Sequence, residues 1–593
     1  SFQPINEAAM VSSTTFSVDD VQRFAGSRMD PARMAQNYAG VLGANDQRND
    51  IIIRGGSPTE LLWRIDGLDI PNPNHFATQG ATGGPVSAIN SMVLDDSDFL
   101  TGAFPASYGD RLSGVFDLHT RRGNMENHEY YGQFGFNGFE LGAEGPIKKG
   151  NVSYLANYRY SFLDLLEKMG ADFGFSGIPR YQDGSLKLDI FASDKHKIHF
   201  TGLFGISDID IRESETDDVT TGDKDINNGT DFYGAALNWD YLVSEEFYAN
   251  LMLGSTASWF RTNIDSVTTD DNNRVTSIEK WFEQNSEEAF NNIKLTVNYY
   301  PNSRNFISAG AELRQRYYNI YERRFTRGFN SNSIYNLDES GFAMQSLNFL
   351  NWNIRITDKL TTNIGLHSQY LDISGKATFE PRTNLEYEFI TNNKFHAGFG
   401  IHRQSLPLVL YFSDEDNNDL DFMQAVHYVL GYENQLTNDL LFKIEGYFKD
   451  YSKVPVKAND RSSWSFLNSG TNFGSVESGI EVESKGLGKT YGAELTLMRH
   501  FAKGYYYSLT GSYVRQRYKG SDGEWRWGAF DNQYILNALG GYEYKISNEV
   551  TLEFSAKYTL AGGKPYTPIN KEKSAQRNST YYLDDEAFSQ RMQ

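Results

Sequence analysis

The sequence predicts an all-β membrane protein: a transmembrane antiparallel β-barrel that encloses a compact N-terminal α+β domain. Three observations predict it. Aromatic rings are 14% of the residues, with 37 Tyr and 40 Phe, yet the mean hydropathy is −0.53. Rings in a hydrophilic chain suit a wall whose lipid-facing side chains alternate with polar, lumen-facing ones. From about His128 onward, segment after segment alternates apolar and polar residues with a period of two. Ahead of this array, residues 49–76 (NDIIIRGGSPTELLWRIDGLDIPNPNHF) set two short β runs against Arg-Gly-Gly and Asp-Gly turns.

The alternation is cleanest late in the chain. Phe442, Ile444, Gly446 and Phe448 share one face, against Lys443, Glu445, Tyr447 and Lys449. Tyr505, Tyr507, Leu509, Gly511 and Tyr513 oppose Ser508, Thr510 and Ser512 in the same way. A soluble β-sandwich shows the same period, but its strands are typically about five or six residues, and these segments run longer. Marking them gives 18 strands, at 128–146, 150–166, 178–193, 196–213, 230–243, 246–265, 277–300, 305–324, 341–357, 360–375, 376–390, 393–413, 421–437, 440–456, 488–501, 505–519, 523–546 and 549–568. Short connections such as 193–196 and 244–246 alternate with long polar ones at 213–230, 326–340 and 457–489. Short turns on one rim and long loops on the other mark an outer-membrane barrel.

Composition excludes several alternatives. No apolar run approaches the roughly 18 residues that a spanning helix requires; LPLVLYF at 406–412 is about the longest. The net charge of −21 argues against nucleic-acid binding. With no cysteine there are no disulfides and no thiolate metal sites. The chain opens without a basic and apolar leader, so a processed or trimmed form is expected. No HExxH, GxSxG or GxxxxGK[ST] pattern appears in a suitable context, so no catalytic residues and no enzyme are expected.

Within the first 122 residues, 18–24 and 30–39 read as short helices, the second capped by Asp30 with Pro31 at its first turn. Residues 72–85 read as a loop, 86–94 as a helix and 114–120 as a strand. These residues resemble the plug of TonB-dependent outer-membrane receptors, especially Bacteroidetes-type members. TFSVDDVQRFAG (15–26), DPARMAQNYAGV (30–41), NDIIIRGGSP, LLWRIDGLDIPNPNHF and GAFPASYGDRLSGVFDLHTRRGN (102–124) carry the likeness. In the barrel it is carried by GYFKDYSKVP (446–455) and GLGKTYGAELTL (486–497).

The resemblance implies a plug at 1–122 and a barrel at 123–593. The barrel would be of the 22-stranded type, so about four C-terminal strands are expected beyond the 18. It implies a receptor that binds a scarce extracellular ligand, a small-molecule or oligomeric nutrient, and imports it by plug rearrangement. The implied location is the bacterial outer membrane, and the implied partners are the lipid bilayer and a TonB-type periplasmic energy-coupling protein. That partner acts by strand addition to a short N-terminal segment, but SFQPINEAAMVSSTTFS shows no clear TonB box. A surface lipoprotein lid, or other outer-membrane subunits, are further partners the resemblance allows. The rival reading is a non-transporting barrel that serves as a structural or assembly subunit.

Arg54 follows the first β run, where Gly55 and Gly56 permit a tight turn. In the family an arginine here can face barrel glutamates, and Glu445 and Glu494 lie on the polar faces of late strands. The plug–barrel contact set is therefore Arg54, Glu445 and Glu494; the alternative has Arg54 satisfying turn carbonyls. Asp66-Gly67 reads as a turn with the Asp bonded to its own backbone. Asn74, His75, Phe76 and Gln79 combine rings and amides and are the ligand-binding candidates, with packing against the barrel wall as the alternative. The acidic loop 414–421 lacks the glycine and terminal glutamate of an EF-hand and reads as solvated. No metal and no cofactor are expected.

Overall fold

The computed structural model describes residues 4–592 except 136–137, 162–176, 178, 217–218, 221, 271, 326–332, 459–460, 471–477, 548, 578–580 and 584–585. Its N-terminal domain is built on a five-stranded sheet in the order Ser13–Phe16, Ser97–Leu100, Gly114–Leu118, Leu61–Ile65, Leu68–Ile70. The pair Leu61–Ile65 and Gly114–Leu118 is parallel. Helix Val18–Arg23 starts at a capping box, in which Ser17 and Asp20 satisfy each other's backbone donors. Helix Pro31–Ala35 is capped by Asp30, which accepts from Ala32 N–H. Trp63 stacks on Phe116 at 4.4 Å, and Phe99 lies 4.5 Å from the same ring. Three such rings buried together bring a large apolar area into this core.

Among the described residues that follow, 21 strand segments from Glu129–Gly135 to Thr551–Ala561 form one antiparallel meander, in which Leu360–Leu371 pairs with Glu380–Ile390 and Tyr505–Lys519 with Gln533–Lys545 past a short intervening piece. Lys376–Ala377 and Trp525–Trp527 are short pieces; the other segments are full strands of up to 28 residues. The sheet curls around the N-terminal domain, which reaches Glu144 near one end of it through Arg121 and Glu543 near the other through Arg23. Short turns such as 194–195, 303–304, 358–359, 438–439 and 503–504 gather on one rim. No helix among the described residues is long and apolar enough to cross a membrane; the strands cross it.

The side-chain period explains the wall. Ile444 and Leu495, opposite each other in register, are exposed on the outside. Glu445 and Glu494, one residue on, are buried inside. Rings collect at the short-turn rim, where His196, Trp239 and Tyr241 stack together and Tyr300 stacks on Phe306. Amphipathic rings at the edge of an apolar band form the interfacial girdle of a membrane barrel.

Several expected boundaries change. Residues 128–146, read as one strand, form the hairpin Glu129–Gly135 and Gly138–Lys148. Residues 86–94, read as helix, give a two-residue strand, Val86–Ser87, and a 3-10 turn, Ser91–Val93. The end of the strand expected at 150–166 and residues 326–332 of the loop expected at 326–340 lie outside the described residues, and the rest of that loop is the start of strand Ser333–Thr357. The strand expected at 393–413 stops at Gln404, and Leu408–Phe412 turns inward as a helix. Leu406, Leu408, Val409, Leu410 and Tyr411 bury in a second apolar core with Leu112 of the N-terminal domain and Phe466 and Leu467 of the next long loop. Asn417 anchors this lid by donating to the Leu410 and Ile480 carbonyls and accepting from Val482 N–H. Within 414–421 the side chains of Glu415, Asp416, Asn418 and Asp419 are exposed, as expected of a solvated loop, while Asn417 and Leu420 are buried.

Leu495→Arg should place a charge on the lipid face and destabilise the barrel by about 2–4 kcal/mol if it sits at the midplane. Urea unfolding in lipid vesicles measures this, and an unchanged midpoint would contradict the outward assignment.

Candidate functional site between the inner domain and the wall

The chain turns sharply at Arg54 and Gly55, both at positive φ (51° and 71°). Gly56 N–H closes the turn onto Ile53 O at 2.8 Å. This throws the Arg54 side chain at the wall. Nε and Nη2 donate to the two carboxylate oxygens of Glu494 at 2.9 and 2.7 Å, and Nη2 also donates to Glu445 at 2.9 Å. The guanidinium lies 4.6 Å from the Tyr447 ring centre. Burial disfavours the Arg54 charge, but the two carboxylates more than offset this and raise its pKa.

The first residues of the chain join this cluster. Arg54 Nη1 donates to Ser12 Oγ at 2.9 Å, and Ser12 Oγ donates to Glu445 at 3.2 Å. His396 Nε2 stands 2.9 Å from the same carboxylate. Gly40 (φ 74°) passes so close that a Cβ there would fall 1.9 Å from Glu494 Oε1. Only glycine fits.

The Asp66–Gly67 turn joins Leu61–Ile65 to Leu68–Ile70 as a two-residue hairpin with both residues at positive φ. The Asp66 carboxylate does not bond its own backbone, as the sequence suggested. It accepts from Thr120 N–H at 2.9 Å, and from Lys187 Nζ on the wall at 3.0 Å. Burial alone would raise its pKa; Lys187 and the Thr120 and Thr201 hydroxyls reverse that and lower it. Across the hairpin, Asp69 bridges Arg64 at 2.6 Å and the wall's Arg314 at 3.0 Å.

The four residues read as ligand candidates are all buried. His75 Nε2 lies 2.8 Å from Asp183, which also pairs with Arg159 at 2.7 Å. Phe76 N–H donates to Ser207 Oγ at 3.1 Å. Gln79 donates to Glu288 and accepts from Gln284 at 2.7 Å. Asn74 bonds within the domain, to Asn72 and Asn49 at 2.7 Å each. Three of the four therefore touch the wall, and a cavity opens beside them rather than among them. About 120 Å³ in size, it lies between Asn72, Thr82 and Arg111 below, Glu288 and Arg316 at the side, and Ser405–Leu408 above.

Ser12, Asp66, Asp69, Asp183, Lys187 and Arg314 were not read from sequence as contacts. One signal was present for the wall residues: Lys187 is a charge between Leu186 and Leu188, on the lumen-facing parity of its strand.

Comparison with known proteins follows from this architecture. Residues 6–115 match the family model described as TonB-dependent Receptor Plug Domain. No curated protein matches the chain in sequence. Among solved structures, the outer membrane transporter YddB from Escherichia coli superposes with a TM-score of 0.70 at 12% identity, covering 98% of this chain and 91% of that one. The siderophore receptor PirA from Acinetobacter baumannii gives 0.68 at 14% identity, over 97% and 87%. The pyoverdine outer membrane receptor FpvA from Pseudomonas aeruginosa gives 0.67 at 12% identity, over 93% and 87%.

Arg54→Ala should strand two buried carboxylates and loosen the inner domain by about 3–5 kcal/mol. Raised ion leakage across planar bilayers and faster amide exchange in residues 40–56 are the expected results. Unchanged leakage and exchange would reduce Arg54 to turn architecture.

Proposed function

We propose that this chain, a TonB-dependent receptor by its plug and its fold, binds a scarce extracellular ligand above the plug and passes it inward when the plug rearranges. One observation carries the reading: Ser12, on the N-terminal segment, shares hydrogen bonds with both Arg54 and Glu445. A pull on that segment by a TonB-type periplasmic partner would withdraw Ser12 first and weaken the Arg54 cluster. Force applied at one end thus reaches the contact that seats the plug. Arg54, Glu445 and Glu494 act as the releasable seat, and His75, Phe76 and Gln79 hold the plug apex against the wall.

Ligand entry requires the lid to move. Pockets for small molecules span about 300–1,000 Å³, and the cavity under Leu408–Phe412 holds about 120 Å³. The lid is tied to the plug at Asp110, which accepts from Ser405 Oγ at 3.0 Å, and at Thr59 O, which accepts from Gln404 at 2.9 Å. Solved relatives described as siderophore and pyoverdine receptors support a scarce extracellular ligand as the class. The same closed lid favours a second reading, in which the barrel is a structural subunit of a larger outer-membrane assembly, with a surface lipoprotein or other barrels as partners.

Deleting the gene should slow growth on one limiting nutrient, and a chain lacking residues 4–14 should fail to restore it. Normal growth on every limiting nutrient, with loss of a membrane complex on pull-down, would favour the structural subunit. Asp110→Ala should speed amide exchange in residues 405–420 by about tenfold, for about 1.4 kcal/mol of lost restraint, while the wall strands stay protected. Equal exchange would mean that the lid does not depend on this tie.

A further inference from the structure

At the long-loop rim, the outward faces of strands Val482–Ala502 and Tyr505–Lys519 change from apolar to basic. Leu495, Leu509 and Leu536 are exposed lower down, with Tyr491, Tyr513 and Tyr534 above them. A crossing takes about 9–11 residues, so from Tyr505 at the short-turn rim the apolar band ends near Arg515. Beyond it, the same outward parity brings Lys489 opposite Arg517 and Leu487 opposite Lys519. Strand Trp525–Trp527 continues both rows, with Trp527 opposite Arg517 and Trp525 opposite Lys519. These groups stand about 5–10 Å past the band on a tilted strand, at the depth of the lipid head groups.

Lys489 and Arg517, directly opposite each other, repel. Lys489, Arg517 and Lys519 form no ion pair among the described residues. Arg517 Nη2 makes only a 3.5 Å contact to Trp525 O, and its buried Nε has no hydrogen-bond partner there. Their company is aromatic. Lys489 Nζ lies 5.1 Å from the Trp525 ring centre, and the Arg517 guanidinium 5.1 Å from that of Trp527. Arg515, below them, is neutralised by Asp531 at 3.1 Å. The acids alongside are Asp450, opposite Lys489, and Glu524, just before Trp525. Positive charge is thus in excess here, in a chain whose net charge is −21. Across the barrel, strands His196–Arg212 and Val275–Asn302 carry Asp208, Asp210, Glu283 and Glu287 on the outward face towards the same rim.

A lipid phosphate suits this arrangement. It carries the missing negative charge, and both an arginine fork and a lysine ammonium bind phosphate oxygens. Tryptophan rings favour the membrane interface, where one end is apolar and the other wet. Bases clustered at a membrane surface attract anionic lipid. We propose that Lys489, Arg517 and Lys519, with Trp525 and Trp527, form a site on the outside of the barrel for the phosphate head group of an anionic lipid in the outer leaflet. The site does not depend on what the receptor carries.

The protein reconstituted in nanodiscs of mixed phosphatidylcholine and phosphatidylglycerol should, on release into native mass spectrometry, keep phosphatidylglycerol in preference to phosphatidylcholine. Each base near a membrane surface contributes about fivefold. Lys489→Gln combined with Arg517→Gln should therefore lower that retention about thirtyfold, with the barrel's unfolding midpoint unchanged. Arg180→Gln combined with Arg261→Gln removes two bases from the acidic side of the same rim, where they pair with Asp208 and Asp231, and should leave retention as it was. Soluble glycerol phosphate should not displace the lipid. The proposal would be overturned by no preference for phosphatidylglycerol, by an equal loss in the control pair, or by displacement with glycerol phosphate.

Discussion

Two carboxylates set directly opposite each other on neighbouring strands repel, and the wall places Glu445 and Glu494 in that way. Positive charge offsets the repulsion: Arg54 enters from the plug and donates to both, and Lys443 of the wall lies 3.4 Å from Glu445. Much of the interior follows from this contact. The turn at positive φ exists to aim Arg54, Gly40 is bare of a side chain to leave Glu494 room, and Ser12 brings the start of the chain to the same spot. An arginine fork suits this position because it engages two acceptors at once in a fixed plane, which a lysine ammonium does not.

Around that contact the plug is seated by further pairs that reach different strands: Asp66 with Lys187, Asp69 with Arg314, His75 with Asp183 and Arg121 with Glu144. Apolar contact adds to them, with Leu203, Phe232 and Met252 of the wall packed on the plug core. Polar pairs of this kind are costly to break singly while buried, and their cost falls once water reaches them. The lid over the mouth differs in kind, being held chiefly by aliphatic and aromatic burial.

Much of this was legible in sequence. The period of two, summed over long segments, located nearly every strand and its lipid-facing side. Inversions of the pattern were harder. Residues 406–412 are continuously apolar, which fits a strand end or a buried helix equally well until neighbours decide. Residues 128–146 switch parity, with Tyr130 and Phe134 outward on the first strand and Phe139 and Leu141 outward on the second, a change that reading them as one strand passes over. Asp66 was read as a self-contained turn because Asp-Gly carries that local signal; its partners, Lys187 and Thr201, lie more than a hundred residues away.

The sequence by itself determined the fold class, the compartment it serves and the turn that carries Arg54, because these rest on local periodicity and on glycine's tolerance of positive φ. Only the tertiary structure decided which charges meet and which loop packs onto the plug. It also decided that three of the four expected ligand residues, His75, Phe76 and Gln79, press on the wall beside a small cavity. Those outcomes depend on register between strands distant in the chain, where a shift of one residue turns every side chain to the opposite face.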